Sequence, residues 1–158
     1  MRQVTGPGWR AALLTPLQVV LTLLLFAEVA LALGLAAWPG AAFFLAVGIG
    51  AHALDELNGR PLATRIPGAV LAALAAVSIA GAVVIGVVGA LTIDPWIGAF
   101  VVGGAFIVVA YNLELIGGRF HGDVWFGLAW GAFPLATAYF AVAEKLDAVA
   151  VAGAAFAF

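Results

Sequence analysis

Residues 67–92 read PGAVLAALAAVSIAGAVVIGVVGALT, twenty-six residues without one charged side chain. A helix needs roughly 20 apolar residues to cross the hydrocarbon core of a bilayer. This stretch has them, and it opens on Pro67, whose missing N–H costs little at a helix start. Its reading as a spanning helix organises the rest of the chain.

Working outward, further apolar runs cover about 12–37, 41–57, 96–115 and 123–143, with another start at 148 that reaches Phe158. Pro39 and Pro95 stand at the starts of two of them. The fold expected is all-α: a polytopic membrane helical bundle forming a single transmembrane domain over 1–158, with five full transmembrane helices and a partial sixth. Composition agrees. Hydrophobic residues make up 66%, charged residues 9%, and mean hydropathy is +1.21. Soluble domains carry roughly 25% charged residues, so this chain lacks the polar surface to cover a core in water. A net charge of −2 without a basic stripe argues against a nucleic-acid partner. With no cysteine there is no disulfide or thiolate chemistry.

Arg2 and Arg10 precede the first run. A secretory signal has an apolar region of about 7–15 residues, and 11–37 is far longer, so it reads as a retained span. Lys and Arg favour the cytoplasmic side. An N-terminus inside places Arg2, Arg10, Arg60, Arg65 and Arg119 there and leaves only Lys145 outside. Localisation to the plasma membrane follows, with the polar loops mostly cytoplasmic. Trp9, Trp38, Trp96 and Trp125 fall near predicted boundaries, as an interfacial aromatic belt requires. Gly127 and Gly131 form a small-xxx-small pair, which lets helix backbones approach within the bundle. The run from Ala148 extends only about 16 Å as a helix, so the natural chain is expected to continue past Phe158.

Two polar clusters carry the candidate chemistry. His52, Asp55 and Glu56 stand at i, i+3 and i+4 near the end of the second run, where a helix presents them on one face. Arg60 and Arg65 follow and can pair with a phosphate. The second cluster holds Tyr111, Asn112 and Glu114, then Arg119, His121 and Asp123, interrupted by Gly117, Gly118 and Gly122. Asp123 also sits where a helix N-cap belongs. Imidazole and carboxylate groups can ligate a divalent cation. One polar pocket built from both clusters is the expected site, with Asp55, Glu56 and Arg60 at its chemical centre. Arg65, Tyr111, Asn112 and Arg119 would bind the ligand, and His52, Asp55, Glu56, Glu114, His121 and Asp123 are the metal candidates. Glu28, deep in the first run, should face protein as a hydrogen-bonded carboxyl.

At these residues the chain resembles the UbiA superfamily of intramembrane prenyltransferases, over roughly 40–145. That family carries Asn-Asp-x-x-Asp-x-x-x-Asp at the end of its second helix, then a short basic, proline-containing stretch. Here His52-Ala-Leu-Asp55-Glu56-Leu-Asn58-Gly59 precedes Thr64-Arg65-Ile66-Pro67-Gly68. Tyr111-Asn112-Leu-Glu114 and the run from Phe126 to Pro134 resemble its passage from helix four into helix five. Asp55 is the one motif carboxylate kept in register, and the family's second acidic motif lies after its sixth helix. The resemblance implies a UbiA-like N-terminal half in which Mg²⁺ and arginines hold an isoprenoid diphosphate for transfer to a lipophilic acceptor. Two other readings of the residues stand beside it. One is a His/carboxylate metalloenzyme holding Zn or Fe. The other is a non-catalytic subunit packing lipid, a quinone-like ligand or pigment against partner subunits.

Overall fold

The chain divides after Leu35 into two units, and the computed structural model describes residues 37–158. The first predicted span, Arg2, Trp9, Arg10 and Glu28 lie outside them. The described residues are helical, with no strand among them. Helix α1 is Trp38–Asn58, α2 is Gly68–Thr92, α3 is Ile97–Asn112, α4 is Asp123–Ala143 and α5 is Ala148–Ala157.

Three of these, α1, α2 and α4, are long and apolar enough to cross a membrane. Their outward residues agree, since Val77 is 73% exposed and Leu91 82% exposed on the surface of α2. An apolar surface of that extent calls for lipid. The chain is a helical membrane protein.

The expectation of five full spans needs correction. The run read as 96–115 forms a helix of only 16 residues, Ile97–Asn112. It is about 24 Å long against a core of about 30 Å. The backbone leaves the helix at Leu113, with φ of −93° and ψ of 6°, and turns left-handed at Glu114, with φ of 49°. The last run forms the 10-residue helix α5, in keeping with a partial span.

Local hydrogen bonds set three of the helix ends. Pro67, with extended ψ of 140°, offers its carbonyl to the amides of Val70 and Leu71 and starts α2. After Thr92 the Asp94 carboxylate accepts from the Trp96 amide at 2.7 Å, closing a tight turn that contains Pro95. Asp147 caps α5 by accepting from the amides of Val149 and Ala150.

The helices close on small residues. A side chain at Gly89 would strike the Trp38 indole at 2.8 Å, so the start of α1 lies beside the end of α2. Ala51, Ala53 and Leu54 of α1, Leu71 and Ala75 of α2 and Val108 of α3 form one buried cluster. That cluster lies under the polar ends of α1 and α3. The Gly127/Gly131 pair seats α5: a Cβ on Gly127 would come 2.6 Å from the Phe158 carbonyl oxygen, and one on Gly131 would overlap the Ala157 carbonyl. Intramolecular packing is thus the use made of this pair.

Both α1 and α4 contain a π-helical stretch, Phe44–Ala51 and Gly127–Ala132. Such stretches are rare and widen a helix locally. The first leads straight into His52–Asn58, and the second carries Trp130, which packs against the buried cluster.

Candidate functional site

The two polar clusters occupy one end of the described bundle, on the 59–67 and 113–122 connections. They are built differently.

In the first, His52 is exposed, Asp55 half-buried and Glu56 only 2% exposed. The helical face that carries all three therefore rotates from solvent into protein. The Glu56 carboxylate is fully engaged. It accepts from the Leu62 amide at 2.9 Å and from both the amide and the hydroxyl of Thr64 at 2.7 Å. Arg60 bends the opposite way and donates to the carbonyls of Ile66 at 2.7 Å and Thr64 at 3.3 Å. Two residues read from sequence as chemical are thus bonded into their own loop. The exposed Arg65 has no bonded partner among the described residues.

The second cluster is organised by Tyr111. His121 stacks on its ring at 4.5 Å between centroids and 30° between planes, and the imidazole Nδ1 lies 3.0 Å from the Tyr111 carbonyl oxygen. Trp130 meets the same ring edge-on at 5.5 Å. Phe120 is held edge-on between Phe106 at 5.2 Å and Trp125 at 4.9 Å. These aromatic pairs fix a loop whose backbone passes through left-handed φ at Glu114, Ile116, Gly117 and Gly118. Glu114 and Arg119 are exposed on it. Asn112 is buried with its amide nitrogen committed to its own helix.

Asp123 departs from the capping role read from sequence. It is the first residue of α4, Gly122 occupies the cap in extended conformation, and no side-chain cap bond forms. The carboxylate is exposed and without a bonded partner among the described residues. Asp55, near the end of α1, and Asp123, at the start of α4, carry the carboxylates of the two clusters that make no hydrogen bond among the described residues. Glu114, His52 and His121 do not join them in a metal-sized group: among the described residues no three His, Asp or Glu gather to hold an ion.

Sequence reading missed a third polar group at the opposite end. Asp147 accepts from the Tyr139 hydroxyl at 2.9 and 3.0 Å, pairs with Lys145 at 3.0 Å, and caps α5. These bonds hold its carboxyl down to a pKa of about 2, the Lys145 contact contributing most. An aspartate directly before an apolar run was the available signal.

No family model matches the chain, and neither curated proteins nor solved structures give a match.

Proposed function

We propose that this protein is a UbiA-like membrane protein that binds the head of an isoprenoid diphosphate through Mg²⁺ at its cytoplasmic end, for transfer of the isoprenoid to a lipophilic acceptor. The observation that carries the reading is the placement of Asp55 in the last turns of α1 and Asp123 at the start of α4, two carboxylates on different helices with no hydrogen-bond partner among the described residues. Mg²⁺ is commonly held by one or two carboxylates with substrate phosphates completing its shell. A Zn or Fe centre would call for three or more protein ligands. Two aspartates fit the first pattern.

Bound there, Mg²⁺ would neutralise the diphosphate as it leaves the allylic carbon. Asp55 and Asp123 would hold the ion. The exposed guanidinium groups of Arg65 and Arg119 flank the same end and suit the outer phosphate oxygens. The apolar surfaces of α1, α2 and α4 would keep an isoprenoid tail in the lipid phase. The plasma membrane and a cytoplasmic N-terminus belong to the same proposal, on the distribution of arginine.

The test is binding of farnesyl diphosphate to the full chain in lipid nanodiscs, with and without Mg²⁺. Wild type should bind only with Mg²⁺, and Asp55→Ala should weaken binding at least about tenfold. Metal-independent binding, or none, would leave a non-catalytic subunit that packs lipid, quinone or pigment beside partner subunits.

A further inference from the structure

We propose that Glu56 and Arg60 are the two pins of a preformed strap, residues 59–67, and act as positioning residues that hold Arg65 and the start of α2 in place. This inference concerns the folding of the chain on itself and stands whichever ligand the polar end takes.

The bonds run in both directions across the strap. Glu56, at the buried end of α1, reaches outward and takes three donors from Leu62 and Thr64, six and eight residues ahead. Arg60, exposed at the start of the strap, reaches forward to the carbonyls of Thr64 and Ile66. The Ala63 amide closes a turn on the Arg60 carbonyl at 2.9 Å. Thr64 is the node, since its amide and hydroxyl go to Glu56 while its carbonyl receives Arg60.

Each partner is chemically required. A carboxylate buried to 2% exposure demands strong donors, and three are supplied. The strap's own backbone has no helix or sheet to satisfy it, so its amides and carbonyls need side-chain partners. Arg60 and Ala63 hold φ of 53° and 50°, a backbone that costs energy outside glycine. The two charged pins over-determine that shape. The consequence is positional. Arg65 sits between two tied residues, Thr64 and Ile66, so its Cα has little freedom while its side chain stays exposed.

Trypsin reads this directly. It cuts after Arg65, but not readily after Arg60, which Pro61 follows. Cleavage needs a strand-like opening of the segment and reports the population of the open strap. The experiment compares cleavage after Arg65 with cleavage after Arg119 in the full chain in detergent micelles, where both loops are accessible. The ratio should be low in wild type. It should rise at least about tenfold in Glu56→Ala, and by about three- to tenfold in Arg60→Ala and in Thr64→Val, which keeps the amide and loses only the hydroxyl. Glu56→Gln, with one acceptor oxygen, should fall between wild type and Glu56→Ala. A ratio within about twofold of wild type in Glu56→Ala would overturn the strap, as would equal acceleration at both sites. Should Glu56→Ala fail to fold, Thr64→Val decides: an unchanged ratio there overturns the proposal equally.

Discussion

The two ends of the bundle use aspartate in opposite ways. At the α4–α5 turn, Asp147 is saturated by two backbone amides, the Tyr139 hydroxyl and the Lys145 ammonium. At the other end Asp55 and Asp123 have no bonded partner among the described residues. A carboxylate whose acceptor sites are all filled by its own chain is a structural device. One left unfilled is free to meet a ligand's charge. Glu56 shows that the distinction does not follow the ends themselves, because it lies one residue from Asp55 and belongs with Asp147 in kind.

The largest expected effect tests whether the ends lie on opposite sides of a membrane. Cysteines placed at Gly59 and Glu144 should label with an impermeant reagent from opposite faces, all or none, because the arginine-rich connections resist translocation. Labelling from one face would dissolve the comparison at its root.

Next comes a separation of function from stability. Asp123→Asn should weaken Mg²⁺-dependent binding of the diphosphate at least about tenfold with an unchanged melting temperature. Asp147→Ala, which removes the cap, should do the reverse, lowering the melting temperature by about 5 °C while sparing binding. If Asp123→Asn melted early and Asp147→Ala did not, the assignments would have to be exchanged.

Acid sharpens the same contrast. The Asp147 carboxyl titrates near 2 in the folded chain against an ordinary value of 3.8. Between those values the unfolded chain binds the extra proton, so stability rises with pH there. The contribution is complete above about pH 4 and gone once pH falls below about 2. Lys145, raised by the same pair, gives stability that is present below its ordinary 10.5 and lost as pH climbs past its folded value. Amide exchange at Val149 and Ala150 should accelerate between pH 4 and 2, relative to α2, once intrinsic rates are removed. Asp147→Asn should flatten that change. The pair is largely exposed, so the effect is modest.

The smallest effect lies in the 113–122 loop. Ile116 holds φ of 56° with its side chain 74% exposed, which a β-branched residue does at a cost and without packing in return. Ile116→Gly should stabilise the protein by about 1 kcal/mol in thermal unfolding. A loss of stability would mean that this loop is held by more than its aromatic contacts.

Sequence by itself determined the solvent and most of the helix positions. The uncharged run of 67–92 admits little but a buried or spanning helix, and α2 covers Gly68–Thr92. The run read as 123–143 forms α4 with those bounds. Gly127 and Gly131 announced a close helix approach because spacing and lack of Cβ are properties of the chain alone. Tertiary structure decided which polar groups stay open. Helical spacing placed His52, Asp55 and Glu56 on one face, but only the returning 59–67 segment could show that Glu56 is enclosed by Leu62 and Thr64. Asp123 looked like a cap because it precedes an apolar run, yet Gly122 extends and takes that place. Asp147, in the same sequence context, does cap its helix. The physical reason is shared: hydrogen bonds to a carboxylate depend on where distant backbone amides arrive, which hydrophobic periodicity does not encode.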